Sequence, residues 1–496
     1  MAKGAFWTIL FRFVTRGIGL ISTVVLARLL VPADFGLVAM AMTLIATFDL
    51  MSSFSLDVVL IQNPNATRSH YDTAWTFNVI SAALQGIILF LIAPLAAHFY
   101  QDTRLTLVIQ LLALGVLVQG FENIGILAFR KELEFHKDFK FQVLKKLSSF
   151  IVTMSLAIWL RNYWALIGGT LVGSFVGVML SYWAHHYRPR FSIAERKELF
   201  HFSKWLFINN LLFFLNNQSA NFILGKITGP QALGLYTISF EISNLPSTDL
   251  VAPINRAIFP GYSKMAHDLA TLRQGFLNVF SAIATVALPV CTGIVLLAEP
   301  LVHVMLGEKW LEAIPLIQVL AIAGLTQALQ TNKGSVYLAL GKPKILTLLA
   351  AIHVFTLIPA LVFGAKINGA MGSAMATAIL LVFLMPLNFF VLFRVIQLPF
   401  HEFLMTIWRP LAATILMILA IEITVLLETP ANSFATNFIL LFQKSMIGGS
   451  VYFVSLFLLW GISGRKPGVE ALVFKKFIHK FNPVLVDIRK RMGLCK

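Results

Sequence analysis

Residues 5–37 read AFWTILFRFVTRGIGLISTVVLARLLVPADFGL. The run exceeds the ~20 apolar residues a helix needs to cross a bilayer, yet it carries Arg12 and Arg16 one helical turn apart. It closes in a tight corner, LARLLVPADFGL at 26–37, and residues 224–235 repeat that corner as LGKITGPQALGL. A shift of 198 positions sets Leu26 on Leu224, Arg28 on Lys226, Pro32 on Pro230, Gly36 on Gly234 and Leu37 on Leu235. A corner duplicated at that spacing makes the chain two related halves. The arginine pair indicates what the space between them accepts.

Composition agrees with a membrane chain. The 496 residues are 58% hydrophobic and 12% charged, with a mean hydropathy of +0.81, against roughly 45–50% apolar and 25% charged in soluble domains. Long helical runs, rather than short alternating segments, exclude an outer-membrane barrel. The net charge of +17 reads as Lys and Arg gathered in cytoplasmic loops, not as a nucleic-acid surface. Cys291 and Cys495 offer neither a disulfide framework nor a metal cluster. The N-terminus lacks the charged n-region, short h-region and small-residue site of a cleavable signal peptide.

Apolar runs between charged or turn-rich breaks predict an all-α polytopic membrane protein of about fourteen transmembrane helices. The spans are 5–30, 36–61, 73–99, 104–129, 141–160, 163–186, 204–226, 231–256, 275–298, 311–339, 344–364, 369–394, 408–427 and 437–461. Alternate connections are basic: RKELEFHKDFK at 130–140, RPRFSIAERK at 188–197, GKPK at 341–344, and the tail from Arg465. That asymmetry sets both termini in the cytoplasm. Two pseudo-symmetric six-helix bundles plus two extra helices follow: an N-terminal lobe at 1–187, a cytoplasmic linker at 188–203, a C-terminal lobe at 204–395 and extra helices at 396–464. Six is an even number, so the repeats share topology about an axis along the membrane normal. The 465–496 tail sets Leu472, Phe474, Phe477, Ile478 and Phe481 among Lys and Arg. It reads as an amphipathic segment on anionic membrane lipids, or as plain solubilising charge.

Ionisable and polar groups inside spans are costly, about 2.5–3.5 kcal/mol for a charge at mid-bilayer, so they need a partner or a wet cavity. Arg12 and Arg16 share a helix face, and a cationic face on a cavity suits phosphate, pyrophosphate or acidic sugars. If the span begins nearer Phe13, Arg12 instead snorkels to the interface. Asp49 lies mid-span as a gate, an ion-coupling group or a structural partner of Arg16; Asp57 lies nearer the cytoplasmic end. Asn78 and Gln85, and Gln119, Glu122 and Asn123, either meet sugar hydroxyls or fasten helices together. The span from 204 is the most polar: Asn210, Phe214, Asn217 and Asn221 share one face, with Asn209, Asn216 and Gln218 beside it. Amides plus an aromatic ring suit a neutral sugar. Glu241, Asn244 and Asp249 follow, and Pro246, Pro253 and Pro260 recur every seven residues as candidate hinges or a static kink. Gln327, Gln330 and Lys333 form a further lumen stripe.

No P-loop, metalloprotease helix, dinucleotide turn or nucleophile elbow occurs, which excludes the common enzyme classes and leaves no catalytic residue, cofactor or metal to expect. His353, alone in a span, reads as a helix contact.

The corner at 26–37, Leu60-Ile61-Gln62, Tyr163-Trp164-Ala165-Leu166, Leu235-Tyr236, Phe259-Pro260, LGEKWLEAIPL at 306–316 and ALGKP at 339–343 together resemble the polysaccharide transporter family. That family includes the Wzx-type and teichuronic or colanic acid exporters of the multidrug/oligosaccharidyl-lipid/polysaccharide flippase superfamily. The resemblance implies a two-lobed, V-shaped bundle that alternates access in the bacterial inner membrane. Its cargo would be an undecaprenyl-diphosphate-linked oligosaccharide, the protein a monomer alongside polysaccharide polymerase machinery. A lipid II or multidrug exporter of the same superfamily is the alternative, although a cation exporter wants an acidic cavity. A non-transporting scaffold of a polysaccharide synthase needs no inward polar faces.

Overall fold

The computed structural model describes residues 2–52, 60–61, 65–195, 204–425 and 433–464. Asp57, the end of the linker and the 465–496 tail lie outside the described residues. The helices are α1 Ala2–Leu29, α2 Pro32–Ser52, α3 Arg68–Tyr100, α4 Arg104–Gln119, α5 Leu127–Lys131, α6 Phe135–Leu160, α7 Trp164–Ala184 and α8 Lys204–Leu245. They continue as α9 Ala252–Met265, α10 Leu269–Leu296, α11 Ala298–Met305, α12 Ala313–Gln330, α13 Asn332–Ala339, α14 Pro343–Ile396, α15 Phe400–Val425 and α16 Phe434–Ile462. No strand occurs among the described residues.

Ten spans among the described residues are long and apolar enough to cross a membrane, or eleven if α4 and α5, bent by 65°, count as one. Two helices explain why this count is lower than the sequence reading. α14 has 54 residues; straight, it would run roughly 80 Å where a bilayer core is about 30 Å. It is interrupted at Asn368 and Gly369, and Ser373 Oγ donates to Leu361 O on the other side of the break at 3.2 Å, so the chain turns back there. α8 is interrupted at Gly229, whose φ of 80° favours glycine. With five asparagines and a glutamine between 209 and 221, it is not among the ten spans.

The chain forms two compact units. The first comprises Met1–Ile238, Met305–Ala313 and Ala351–Ala376. In it α6 lies on α7, α3 on α4, and α1 on α6. The α6–α7 contact runs through small residues: Ser149 Oγ donates to Gly169 O at 2.8 Å, the close approach favoured where packing has no hydrophobic drive. Leu26, Leu30, Ala157 and Ala165 are buried beside it.

The second unit comprises Ser239–Val304, Ile314–Ala350 and Thr377–Lys496. Its core is aromatic, with Phe280 and Phe403 centroids 4.7 Å apart and Phe389 and Phe403 5.0 Å apart. Tyr452 of α16 donates to Thr285 O at 2.7 Å. At Pro246–Val251 the chain leaves the α-helical pattern for a π-helical turn before α9 begins, consistent with a proline that has no N–H to give the ladder. Pro253 lies in the first turn of α9. Outward faces carry large exposed apolar side chains such as Phe383 and Ile379, as a lipid-facing surface requires.

Candidate gate and transport path

α1 ends before Pro32, and proline suits the first position of α2 because its missing N–H would be unpaired there anyway. Asp34 reaches back, its Oδ2 accepting from Val31 N at 3.1 Å, half of a capping box with its charge at the positive end of the helix. Its Oδ1 accepts from Tyr163 N at 3.2 Å, which ties the first corner to the start of α7. The second corner is built alike, with Pro230 directly after the Gly229 break.

These two corners touch. A Cβ placed on Gly36 would lie 1.7 Å from Pro230 O, and one on Gly234 would lie 1.8 Å from Pro32 O. The contact is reciprocal, each helix's first turn pressed on the other's proline carbonyl. Only glycine permits so close a crossing, and Cα–H···O contacts are the natural glue of such a pair.

Two aromatic pegs flank the crossing, each from a turn of one half onto the corner helix of the other. Trp310, fully buried, donates Nε1–H to Ala27 O at 2.8 Å and meets Phe35 edge-on at 5.3 Å. Lys309 Nζ reaches Leu29 O at 3.4 Å. Both groups satisfy carbonyls that the end of α1 leaves unpaired, and the ammonium matches the negative end of the helix. In the other half, the buried Tyr100 ring covers Gly225, which a Cβ would bring to 2.9 Å from Cε1. Lys226 Nζ donates to Phe99 O at 2.5 Å and lies 4.9 Å from the Phe99 ring centroid. Ala27 and Gly225 are equivalent under the 198-residue shift. Beside Tyr100, the Arg104 guanidinium bonded to Asp102 at 2.7 Å holds that carboxyl below its usual range. A cleft of about 500 Å³ borders the crossing, lined by Pro32, Ala33, Gln231, Glu308, Lys309 and Glu312 among others.

Away from the corner, polar side chains of the first unit form two links through α2. Gln85, buried on α3, donates Nε2–H to Asp49 Oδ1 at 2.6 Å. Thr43 Oγ1 donates to Gln218 Oε1 of α8 at 3.3 Å, and Asn221 Nδ2 donates to the same oxygen at 2.9 Å. Asn217 is exposed and donates to Phe213 O of its own helix at 2.7 Å. The Phe214 ring lies 6.4 Å from Phe222. Asn210 lies on α8, but its side chain is outside the described residues. Arg12 and Arg16 are half-buried on α1, and Asn78 is exposed on α3. Glu122 accepts from Lys145 Nζ at 2.5 Å. Asn123 fastens the turn after α4, donating to Tyr187 O at 2.7 Å and accepting from Gly125 N at 2.9 Å.

In the second unit, buried Gln330 accepts from Lys333 Nζ at 3.1 Å and from Asn388 Nδ2 at 2.8 Å. Gln327 is exposed, while Glu241 and Asp249 are half-buried. Among the described residues no group of three or more His, Cys, Asp or Glu gathers to hold a metal ion. Thr43, Lys145, Asn388, Tyr100 and Trp310 were not singled out from the sequence as site residues. The last lies inside a motif that carried the family resemblance, the one signal that pointed to it.

Residues 25–315 match the family model described as polysaccharide biosynthesis protein. The chain is 27% identical over 417 residues to the lipopolysaccharide biosynthesis protein WzxC of Escherichia coli K12, covering 82% of this chain and 84% of that one. It is 23% identical over 461 residues to the succinoglycan biosynthesis transport protein ExoT of Rhizobium meliloti, covering 91% and 92%. Its fold is similar to the lipid II flippase MurJ in an inward closed conformation, with a TM-score of 0.73 at 13% identity over 93% of this chain and 99% of that one. It is also similar to an inward-facing multidrug resistance MATE family transporter, with a TM-score of 0.57 at 12% identity over 77% and 94%. With more than half its length matched, the chain belongs to the polysaccharide biosynthesis protein family of membrane proteins.

Proposed function

We propose that this protein is a flippase that carries an undecaprenyl-diphosphate-linked oligosaccharide, one polysaccharide repeat unit, across the bacterial inner membrane. The single observation that carries the reading is the reciprocal crossing of the two repeated corners at Gly36 and Gly234. Two like halves that meet backbone to backbone at the crossing, flanked by the Trp310 and Tyr100 pegs, make a closure that can part without unfolding either half. In this reading the lobes are 1–187 and 204–395, joined by the 188–203 linker and followed by two further helices. Fourteen spans leave both termini in the cytoplasm, and access to the path alternates between the corner end and the opposite end. The relatives named for lipopolysaccharide and succinoglycan biosynthesis support a sugar cargo.

Arg12 and Arg16 would take the diphosphate, since guanidinium matches phosphate bidentately. Asn78, Gln85, Glu122, Asn210, Asn217, Asn221, Gln327 and Gln330 would offer donors and acceptors to hydroxyls, with Phe214 as a stacking face and Lys333 as a further cation. The Asp49–Gln85 link makes Asp49 the first candidate for gating or ion coupling, ahead of Glu241 and Asp249; Pro246 and Pro253 would be the hinge. The protein acts as a transporter and performs no bond-making chemistry on its cargo.

The test is flipping by the purified full-length protein in proteoliposomes, offered the diphosphate-linked oligosaccharide, lipid II or a cationic dye. Preference for the oligosaccharide lipid, lost in Arg16→Ala with insertion intact, is the expected result. Preference for lipid II favours the reading suggested by the MurJ-like fold, and transport of the dye alone overturns both.

A further inference from the structure

The residues after α7, HHYRPRFSIAE at 185–195, leave helical geometry at the extended His185 and turn at 194–195. One edge of this strap is clamped to the first turns of α3. Tyr187 OH donates to Asp72 Oδ1 at 2.7 Å, and Arg190 N donates to the same oxygen at 2.8 Å. Ser192 N donates to Thr76 Oγ1 at 2.9 Å, and Arg68 Nη2 donates to Arg188 O at 3.2 Å. Asp72 and Thr76 are buried, and burial together with the Asp72 bond pushes the Tyr187 phenol up, so it stays a donor.

The clamped edge dictates the other. Exposure alternates over 186–190, with Tyr187 inward and Arg188 and Arg190 outward; beyond Arg190 the alternation slips by one residue, so that Phe191 at 69% and Ile193 at 53% are exposed as well. Trp183, at the end of α7, is 79% exposed. Arg188 lies 5.6 Å from the Tyr182 ring and Arg68 5.6 Å from the Tyr187 ring. Phe191 rests on the Trp75 ring at 5.0 Å, and Arg188 Nη1 donates to His185 O and Tyr187 O at 2.8 and 2.9 Å, which leaves its other N–H groups to an anion. Guanidinium groups interleaved with exposed aromatic and aliphatic side chains, directly after an apolar helix long enough to span, have the composition of a segment lying at the headgroup level.

The geometry points to this strap as a binding site for anionic phospholipid headgroups, with Arg188 and Arg190 on the phosphates and Phe191 and Ile193 in the acyl boundary. The site is held in shape by Asp72, and it lies on the connection between the two halves. Its occupant is membrane lipid and not the cargo, because exposed apolar side chains flank the cations and the strap's inner edge is filled by protein.

The test measures retention of phosphatidylglycerol against phosphatidylcholine by the full-length protein, using native mass spectrometry and nanodisc exchange. Each cation near an anionic surface contributes a factor of roughly five, so R188Q/R190Q should weaken phosphatidylglycerol retention about 25-fold. R161Q, at the other end of the α6–α7 hairpin, should leave it within about twofold. F191S/I193S should weaken retention of both lipids alike. Excess diphosphate-linked polyprenol should not displace the bound lipid; displacement would make the strap a cargo site and overturn the assignment. Equal retention by wild type and R188Q/R190Q overturns it too, as does a label at Phe191→Cys that reports water in bilayers and is shielded only by an added protein.

Discussion

Replacing Gly36 by alanine forces a choice on the crossing of the two corners. The new Cβ would sit 1.7 Å from Pro230 O, whereas a carbon–oxygen contact settles at about 3.3–3.6 Å. The first turns of α2 and of the helix after Gly229 must therefore separate by roughly 1.6–1.9 Å, at a cost typical of overpacking, about 1–3 kcal/mol. That cost falls only on the closed corner, so the closed-to-open ratio should drop about 5- to 150-fold. Gly234→Ala should do the same, because its Cβ meets Pro32 O at 1.8 Å. Both overlaps are relieved by one displacement, so the double variant should cost little more than either single one, a clear departure from additivity. The assay is cross-linking of Ala33→Cys to Gln231→Cys, which border one cleft, in a background with Cys291 and Cys495 replaced by serine. Gly17→Ala is the control, since a Cβ there meets nothing within 4 Å. Folded, membrane-inserted Gly36→Ala protein with unchanged cross-linking would refute the idea that this contact is a gate.

Trp310→Phe keeps a ring beside Phe35 but leaves Ala27 O without its donor, and should lower thermal stability in detergent by about 0.5–1.5 kcal/mol; an unchanged melting midpoint would mean that water replaces the indole. Burial holds the His185 imidazole below its ordinary range, against the opposing pull of Glu132 and with help from His186 and Lys137, and its Nδ1 accepts from Tyr187 N at 3.0 Å. As pH falls through about 6.5, the released segment takes a proton that the packed one resists, so the strap loses stability toward acid. Proteolysis near residue 190 should rise below that pH, and His185→Gln should flatten the dependence. Glu122→Gln leaves Lys145 without its carboxylate and should cost about 1–2 kcal/mol, between the surface and buried limits. Adding Lys145→Met should recover most of it, and a cycle with no coupling would show the pair to be incidental.

The apolar runs and the duplicated corner were enough to read an all-helical membrane fold, because span length and residue spacing are properties of the chain alone. The reversal of α14 at Asn368–Gly369 falls where the sequence parts 344–364 from 369–394, because Lys366, Asn368 and Gly369 interrupt the apolar run there. The site was legible by residue type more than by partner. Asp49 stood out as a charge in a span, but nothing in its neighbourhood announced Gln85, 36 residues on. Asn123 could be read as a contact for sugar hydroxyls or as a fastener between helices, and its bonds to Tyr187 and Gly125 brace a turn, a role set by tertiary contact. Trp310 and Tyr100 carry no polarity signal, and their importance arises only where each meets the other half's corner.

The cap on α1 has a bearing on how the protein is made. Ala27 O waits for an indole 283 residues downstream, which a ribosome working at about 5–20 residues per second delivers roughly 15–60 s later. Until then the end of the first helix must leave the translocon with carbonyls served only by water or lipid headgroups. The nascent N-terminal half is thus a dependent intermediate, exposed to quality-control proteases for the better part of a minute. A truncation ending before residue 305 should be degraded in cells however well its own helices insert.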